Sequence, residues 1–359
     1  MSGLLYRPDM DEVRQRLTVW WSGGDIGRPA LLLTAFRPLP AEDIPALAQP
    51  RGWITSYSTR DFSYRVNQAQ RASIYTYYLA EAVPTVAPDL APNCLALFLG
   101  CQGVESEGTV WCEPIPVEPE EMHFDYDPTN YYWDFCPRLA KETLRLGRER
   151  FMLAFPDLIE GLDTLAAMRG TERLLLDLVE RPEWVHQALR QITDRYFHYY
   201  DILYNLIHDE VGGSHYWAWA PGRMAKFQCD FSAMISPAMF REFMLPILTE
   251  MCQRVSYCMY HWDGPCALGH HDHLLSIPGL TMIQWTPGAG VEPTDHPRWW
   301  PLFHKTIEAG KKIILTDCQG IDSLRALKRE FGPKLRQFMI QHHANSLHEA
   351  LEFERAALI

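Results

Sequence analysis

The chain has 359 residues, 47% hydrophobic and 22% charged, enough to build a sizeable core in one large domain or two smaller ones. Its formal net charge of −12, with no basic run to offset it, argues against a nucleic-acid partner, because phosphate binding needs clustered lysine and arginine. Long apolar stretches of membrane-spanning length are absent. The first residues carry acids and no secretory apolar core, and the nine cysteines form no CxxC pair, so a cytoplasmic protein with buried thiols is expected.

Taken in chain order, a helix from Pro8 to Trp20 ends at Gly23-Gly24 and makes residues 1–28 an N-terminal helical extension. Pro29 opens a first strand at 30–36. A proline-rich loop from Pro38 to Pro50 then leads to a helix over 63–82. Extended pieces follow at 83–88 and 94–99, then an alternating arm of an inserted hairpin at 109–117, an acidic loop and a helix over 133–150. Beyond residue 150 the rhythm is regular, with apolar runs at 151–156, 214–220, 257–262, 281–285, 312–316 and 337–341. Helical patterns separate them at 159–169, 172–178, 182–209, 237–255, 267–276, 298–309, 321–331 and 345–357. Ser236-Pro237 supplies a cap and a first-turn proline, and Asn345 is placed to cap the last helix.

Six of these runs break into polar, chemically capable residues just before a turn. Buried parallel strands read as continuous apolar runs, and a barrel of βα units gathers its strand ends on one face, where catalytic residues sit. With 30–36 and 83–88 the count reaches eight, so the pattern predicts a single α/β domain over 1–359, a (β/α)8 TIM barrel with its site at the strand ends.

The strongest constellation is His261-x-Asp263, because residues two apart on a strand face the same side and can converge on one ion. A catalytic zinc site takes three N or O ligands and keeps one position open; His342 or His343 is the expected third ligand, with Cys318 and Cys229 as other candidates. The plainer alternative is a histidine that hydrogen-bonds Asp263 or a backbone carbonyl. The run His270-His271-Asp272-His273 reads as a solvated helix turn. Asp157 and Asp230 stand where a barrel places an acid, a base or a substrate anchor, and Asp163 reads as a first-turn helix acid. Gln284, Trp217, Trp219 and Trp285 are the expected substrate-binding walls of a partly aromatic pocket, with Trp262 turned outward, and Cys318 lies at a strand end. Neither a GxGxxG spacing with its following acid nor a GxSxG, HExxH or Walker motif occurs, so no nucleotide cofactor is expected.

Cys229-Asp230 through Ser236-Pro237, Phe240, Phe243 and Pro246 resembles the D-x5-S-P-x-x-F-x-x-F-x-x-P segment of the uroporphyrinogen decarboxylase superfamily. Tyr260-His261-x-Asp263-Gly264-Pro265, Gln284 to Gly290 and Met168-Arg169-Gly170 are similar to further segments of its uncharacterised bacterial members, and the likeness runs over roughly 80–357. The resemblance implies a TIM barrel with one pocket at the strand C-termini. The decarboxylases' substrate-gripping R-Q-A-G-R segment has no counterpart near Leu31–Arg37. The zinc-dependent branch, which moves methyl groups to or from corrinoid proteins or thiols, carries His-x-Cys and a later Cys; here Asp263 replaces the first Cys and His342-His343 stands near the second. The leading expectation is therefore a methyltransferase-like enzyme with zinc, a small organic methyl donor and a corrinoid protein as partner. The alternative is a metal-free decarboxylase or lyase using Asp157 as proton donor, with Arg37, Arg65 and Arg223 as cationic anchors. A glycosidase is weakened by the lack of a strand-end glutamate, and a non-enzymatic binding protein stays open.

Overall fold

The computed structural model describes residues 3–55, 57–58, 61–147 and 149–359. Positions 1 and 2 of the expected N-terminal extension, and position 148 of the expected 133–150 helix, lie outside the described residues. The strands are β1 (Ala30–Phe36), β2 (Thr76–Ala80), β3 (Thr85–Val86), β4 (Gln102–Ser106), β5 (Thr109–Glu113), β6 (Met152–Leu153) and β7 (Ser214–Tyr216). Then come β8 (Ala218–Ala220), β9 (Met224–Gln228), β10 (Tyr257–Asp263), β11 (Met282–Thr286), β12 (Lys312–Leu315) and β13 (Phe338–Ala344).

Seven strands form one sheet in the order β2-β1-β13-β12-β11-β10-β9, parallel throughout except for β2 on β1. The strands β3 and β6 pair in parallel, and β6 runs on to β7 through the Phe155 N–H, which donates to the His215 carbonyl at 2.9 Å. The result is an α/β fold with a mostly parallel central sheet, and the helices between successive strands cover its outer face. Among the described residues no helix is long and apolar enough to cross a membrane.

Two departures from the sequence reading matter for the site. The expected helix over 63–82 stops at Ile74, because Tyr75-Thr76-Tyr77-Tyr78 is an aromatic and β-branched run that suits an edge strand, and it becomes β2 against β1. The expected strand 214–220 is two antiparallel arms, β7 and β8, folded at Trp217, whose φ is 61°. The strand that lies beside β10 is instead 224–228, a run that the sequence reading passed over. The extended piece expected at 94–99 is a short helix, Cys94–Phe98, capped by the Asn93 side chain. The hairpin insertion is present as β4–β5, and the last helix is capped by Ser346, while Asn345 donates to Glu349.

Candidate active site

Three neighbouring strands end on one rung. Gln228 of β9, His261 of β10 and Gln284 of β11 are register partners, so their side chains project from adjacent positions of the sheet. Alternation then assigns faces. Tyr260 and Trp262 are buried outward, with Trp262 stacked on His271 of the covering helix, while His261 and Asp263 face inward.

The carboxylates of Asp230 and Asp263 and the imidazole of His261 each bring a ligand atom within 4.8 Å of the others. Asp230 opens the short helix Asp230–Met234 directly after β9, and Asp163 holds it there. One Asp163 oxygen accepts the Phe231 N–H at 2.8 Å; the other accepts the Asp230 N–H at 2.8 Å and the Gln228 amide at 3.3 Å. Asp163 therefore fastens the loop that carries Asp230, in addition to its place in its own helix's first turn.

The tautomer of His261 follows from its neighbour. The Gln284 amide nitrogen donates to Thr286 Oγ1 at 2.7 Å, to Thr316 Oγ1 at 3.1 Å and to the Trp285 carbonyl at 3.1 Å. Its oxygen is therefore the atom turned to His261, so His261 Nδ1 must donate to it, and Nε2 keeps its lone pair. Burial, and then the nearby Lys226 charge, push the His261 pKa down, which keeps the ring neutral.

Lys226 of β9 is fully buried and was not anticipated. Its ammonium pairs with the Asp157 carboxylate and the Gln228 amide oxygen, and it lies 5.0 Å from the Trp217 ring centroid. The same Asp157 oxygen accepts from the Tyr216 hydroxyl at 3.3 Å. The available signal was a lysine inside the run Met-Ala-Lys-Phe-Gln, where a buried charge demands a partner.

Around this one cation several acids are pushed upward. Burial raises Glu160 and Asp163, and Glu160 Oε2 finds no partner. Burial, then the Asp163 and Asp263 charges, bring Asp230 up to about 7; burial and the Asp157 charge do the same for Asp89. A cavity of about 610 Å³ adjoins Asp157, lined by Tyr57, Asp89, Asp157, Trp217, Gln284 and Gln341 among others, with no arginine or lysine of the described residues in its wall. Trp217 stands edge-on to His261 at 5.3 Å.

Several expected site residues lie elsewhere. His342, expected as a third ligand, is not brought to the Asp230 group: it faces outward, stacked on Phe353 at 4.3 Å, with Nδ1 on the Cys318 carbonyl. His343 faces the other way and meets Thr34 Oγ1 at 2.9 Å, apart from the Asp230 group. Its neighbour Gln341 is the one that reaches the cavity. Cys318 is buried beside Asp295, with its thiol pushed up to about 12, and Cys229 is likewise a buried, high-pKa thiol. Trp285 packs outward on Trp262 and Trp299, and Trp219 is buried with its indole N–H on Asp209. Arg223 pairs with Asp201 and lies over Tyr200, while Arg37 lies over Tyr77 and Arg65 donates to the Asp89 backbone. His270 and His271 are buried rather than solvated, bonded to the Ser232 carbonyl and to Thr306.

No family model and no curated protein matches this chain. Among solved structures it is similar to a methyltransferase from Methanosarcina mazei, with a TM-score of 0.56 and 11% sequence identity over 96% of this chain and 96% of that one. At that identity the likeness is one of fold.

Proposed function

We propose that this protein is a metal-dependent, methyltransferase-like enzyme on a (β/α)8 barrel of the uroporphyrinogen decarboxylase type, acting on a small, uncharged organic methyl donor. The observation that carries the reading is the convergence of Asp230, His261 and Asp263, with His261 Nδ1 already committed to Gln284, which itself lines the cavity. One imidazole nitrogen and two carboxylates make a donor set suited to zinc with a position left for substrate. A zinc ion bound there supplies Lewis acidity to a substrate oxygen. The fold shared with a known methyltransferase supports the same reading.

The chain's own residues do the remainder. Gln284 fixes the ring of His261, and Asp163 fixes the loop of Asp230. Lys226 and Tyr216 hold Asp157 through Oδ1, which fixes its carboxylate at the cavity wall, where it can meet a substrate. Trp217 screens the His261 edge from water. The methyl acceptor in this reading is a corrinoid protein. Among the described residues no guanidinium or ammonium lines the cavity, and Arg37, Arg65 and Arg223 are engaged elsewhere, which weighs against a lyase acting on a polycarboxylate.

Metal analysis of the purified full chain tests the assignment. One zinc per chain is expected, lost in His261→Ala and Asp263→Ala with folding intact, and retained in His342→Ala. Stoichiometric zinc in His261→Ala overturns it.

A further inference from the structure

The opposite end of the parallel strands carries a cavity of its own. It measures about 670 Å³ and lies where β11, β12 and β13 begin, walled by Leu280 and Thr281, Gly310 and Lys312, and Arg336 and Gln337. The turn that follows the N-terminal helix Met10–Trp21 closes its rim. It is separate from the Asp230, His261 and Asp263 group, because β11 starts at this cavity and reaches Gln284, the partner of His261, only further along.

The cations gathered here are short of counter-ions. Lys312, the first residue of β12, is half-buried, and burial pushes its pKa down; among the described residues no carboxylate pairs with it. Its ammonium lies 4.4 Å from the Trp20 ring centroid, an attraction that supplies no opposite charge. Arg336 Nε lies 3.2 Å from Asp25 Oδ1, yet that nitrogen is enclosed and makes no hydrogen bond, while the same Asp25 oxygen accepts the Gly27 N–H at 2.7 Å. The adjacent Lys311 donates to the Ile277 and Leu280 carbonyls at 2.9 and 3.0 Å, with no carboxylate on it among the described residues. Three cations are thus served by one carboxylate, in a chain whose net charge is −12. Charges withdrawn from water are ordinarily paired, so the shortfall marks a place for an anion.

We infer that this cavity is a second ligand site, for a small organic molecule bearing an oxyanion, a carboxylate or a phosphate, held by Lys312 and Arg336. Lysine acts there as a point charge and arginine offers a planar fork, the two modes by which proteins hold such groups. The Gln337 side chain, unbonded among the described residues, adds a neutral donor at the same wall. A bare ion fills little of this volume, which leaves room for an organic body. A neutral ligand would leave the Lys312 ammonium without a counter-charge.

Calorimetric titration of the full chain with benzoate, with phenyl phosphate and with neutral benzamide tests this, and the tighter of the two anions identifies the group. Saturable binding of that anion at millimolar concentration is expected, with benzamide about tenfold weaker, the worth of a hydrogen bond to a charged group. Lys312→Met and Arg336→Met should each weaken the anion by a similar factor. Lys312→Met removes an unpaired charge, so without ligand it is expected to unfold at no lower denaturant concentration than the wild type, and to lose the stabilisation that the anion confers. Repeating the titration in His261→Ala keeps binding at the proposed metal group apart, and affinity there is expected to be unchanged. Binding of neither anion, benzamide affinity equal to that of the tighter anion, loss of binding in His261→Ala, or unchanged affinity in both methionine variants overturns the inference. Should a methionine variant fail to fold, Lys312→Gln and Arg336→Gln carry the comparison, and wild-type affinity in both would overturn it.

Discussion

Buried carboxylates at the two ends of the parallel strands are pushed in opposite directions. At the end where β1 begins, Glu81 is fully enclosed, yet its oxygens accept from Arg28 at 2.6 and 2.9 Å, from Arg16 at 2.8 Å and from the Leu31 N–H at 2.8 Å. Burial alone would raise its pKa, but the two guanidiniums and the amide outweigh it and hold it below the ordinary value. At the other end Glu160, Asp163 and Asp230 share Lys226 as their cation, and all are pushed up. An enclosed acid with its full set of cations is a brace; a group of acids short of cations, open to a cavity, is a place for one to arrive. The brace stands where the parallel strand β1 begins, and the acids short of cations stand where β9 and its neighbours end.

The largest effect should separate the two ends directly. Glu81→Gln leaves buried Arg28 with only the longer contact to Glu354, at 3.6 Å, and is expected to cost about 3–5 kcal/mol in denaturant unfolding. Glu160→Gln removes a charge that burial already disfavours and keeps an oxygen for the Gln228 N–H, so its cost should stay within about 1 kcal/mol. The acid limb provides a second reading. A depressed folded pKa contributes stability above the ordinary 4.5 that is lost as pH falls through the folded value. Acid unfolding of Glu81→Gln should therefore be shallower than that of the wild type. Equal costs for the two substitutions would dissolve the distinction.

A smaller effect concerns zinc. Gln284→Leu frees His261 Nδ1 and is expected to weaken zinc by about 10–100-fold, as loss of an orienting partner does. Zinc affinity should also fall as pH drops through about 7, because Asp230 then takes a proton that the ion must displace. Competition against a chelator between pH 6 and 8 measures both, and a pH-independent affinity would remove Asp230 from the ligand set.

Much of this site was legible in the sequence, and the parts that were not have definite causes. His261 and Asp263 follow from spacing alone, since two residues apart on a strand share a face. The third member was sought on the last strand, but β13 is separated from β10 by two strands, whereas β9 is its immediate neighbour and delivers Asp230. Strand parity decided His342: the register Leu33↔His342 turns it toward the outer helix and turns Gln341 inward, and pairing of that kind is not written in a single apolar run. Lys226 stayed hidden because the run from Tyr216 to Cys229 reads as one strand and its exit. The fold at Trp217 that splits the run carries no glycine or asparagine to announce it.

Trp217 itself yields the smallest and most diagnostic prediction. An L-residue at φ 61° costs about 1–2 kcal/mol, and such strain persists where the surroundings over-determine it. Here the hairpin pairing of Tyr216 with Ala218, the Lys226 ammonium 5.0 Å from the ring and the edge contact to His261 supply that constraint. Both Trp217→Gly and Trp217→Ala remove the ring. They differ in the backbone: glycine adopts φ near 60° freely, whereas alanine keeps the strain. Glycine's looser unfolded chain offsets about 0.4–1 kcal/mol of that advantage. The glycine variant is therefore expected to be the more stable of the pair by up to about 1 kcal/mol, an inversion of the usual order. Measured denaturation midpoints decide it, and an alanine variant more stable than the glycine one would show that the chain at 217 is not held left-handed in solution.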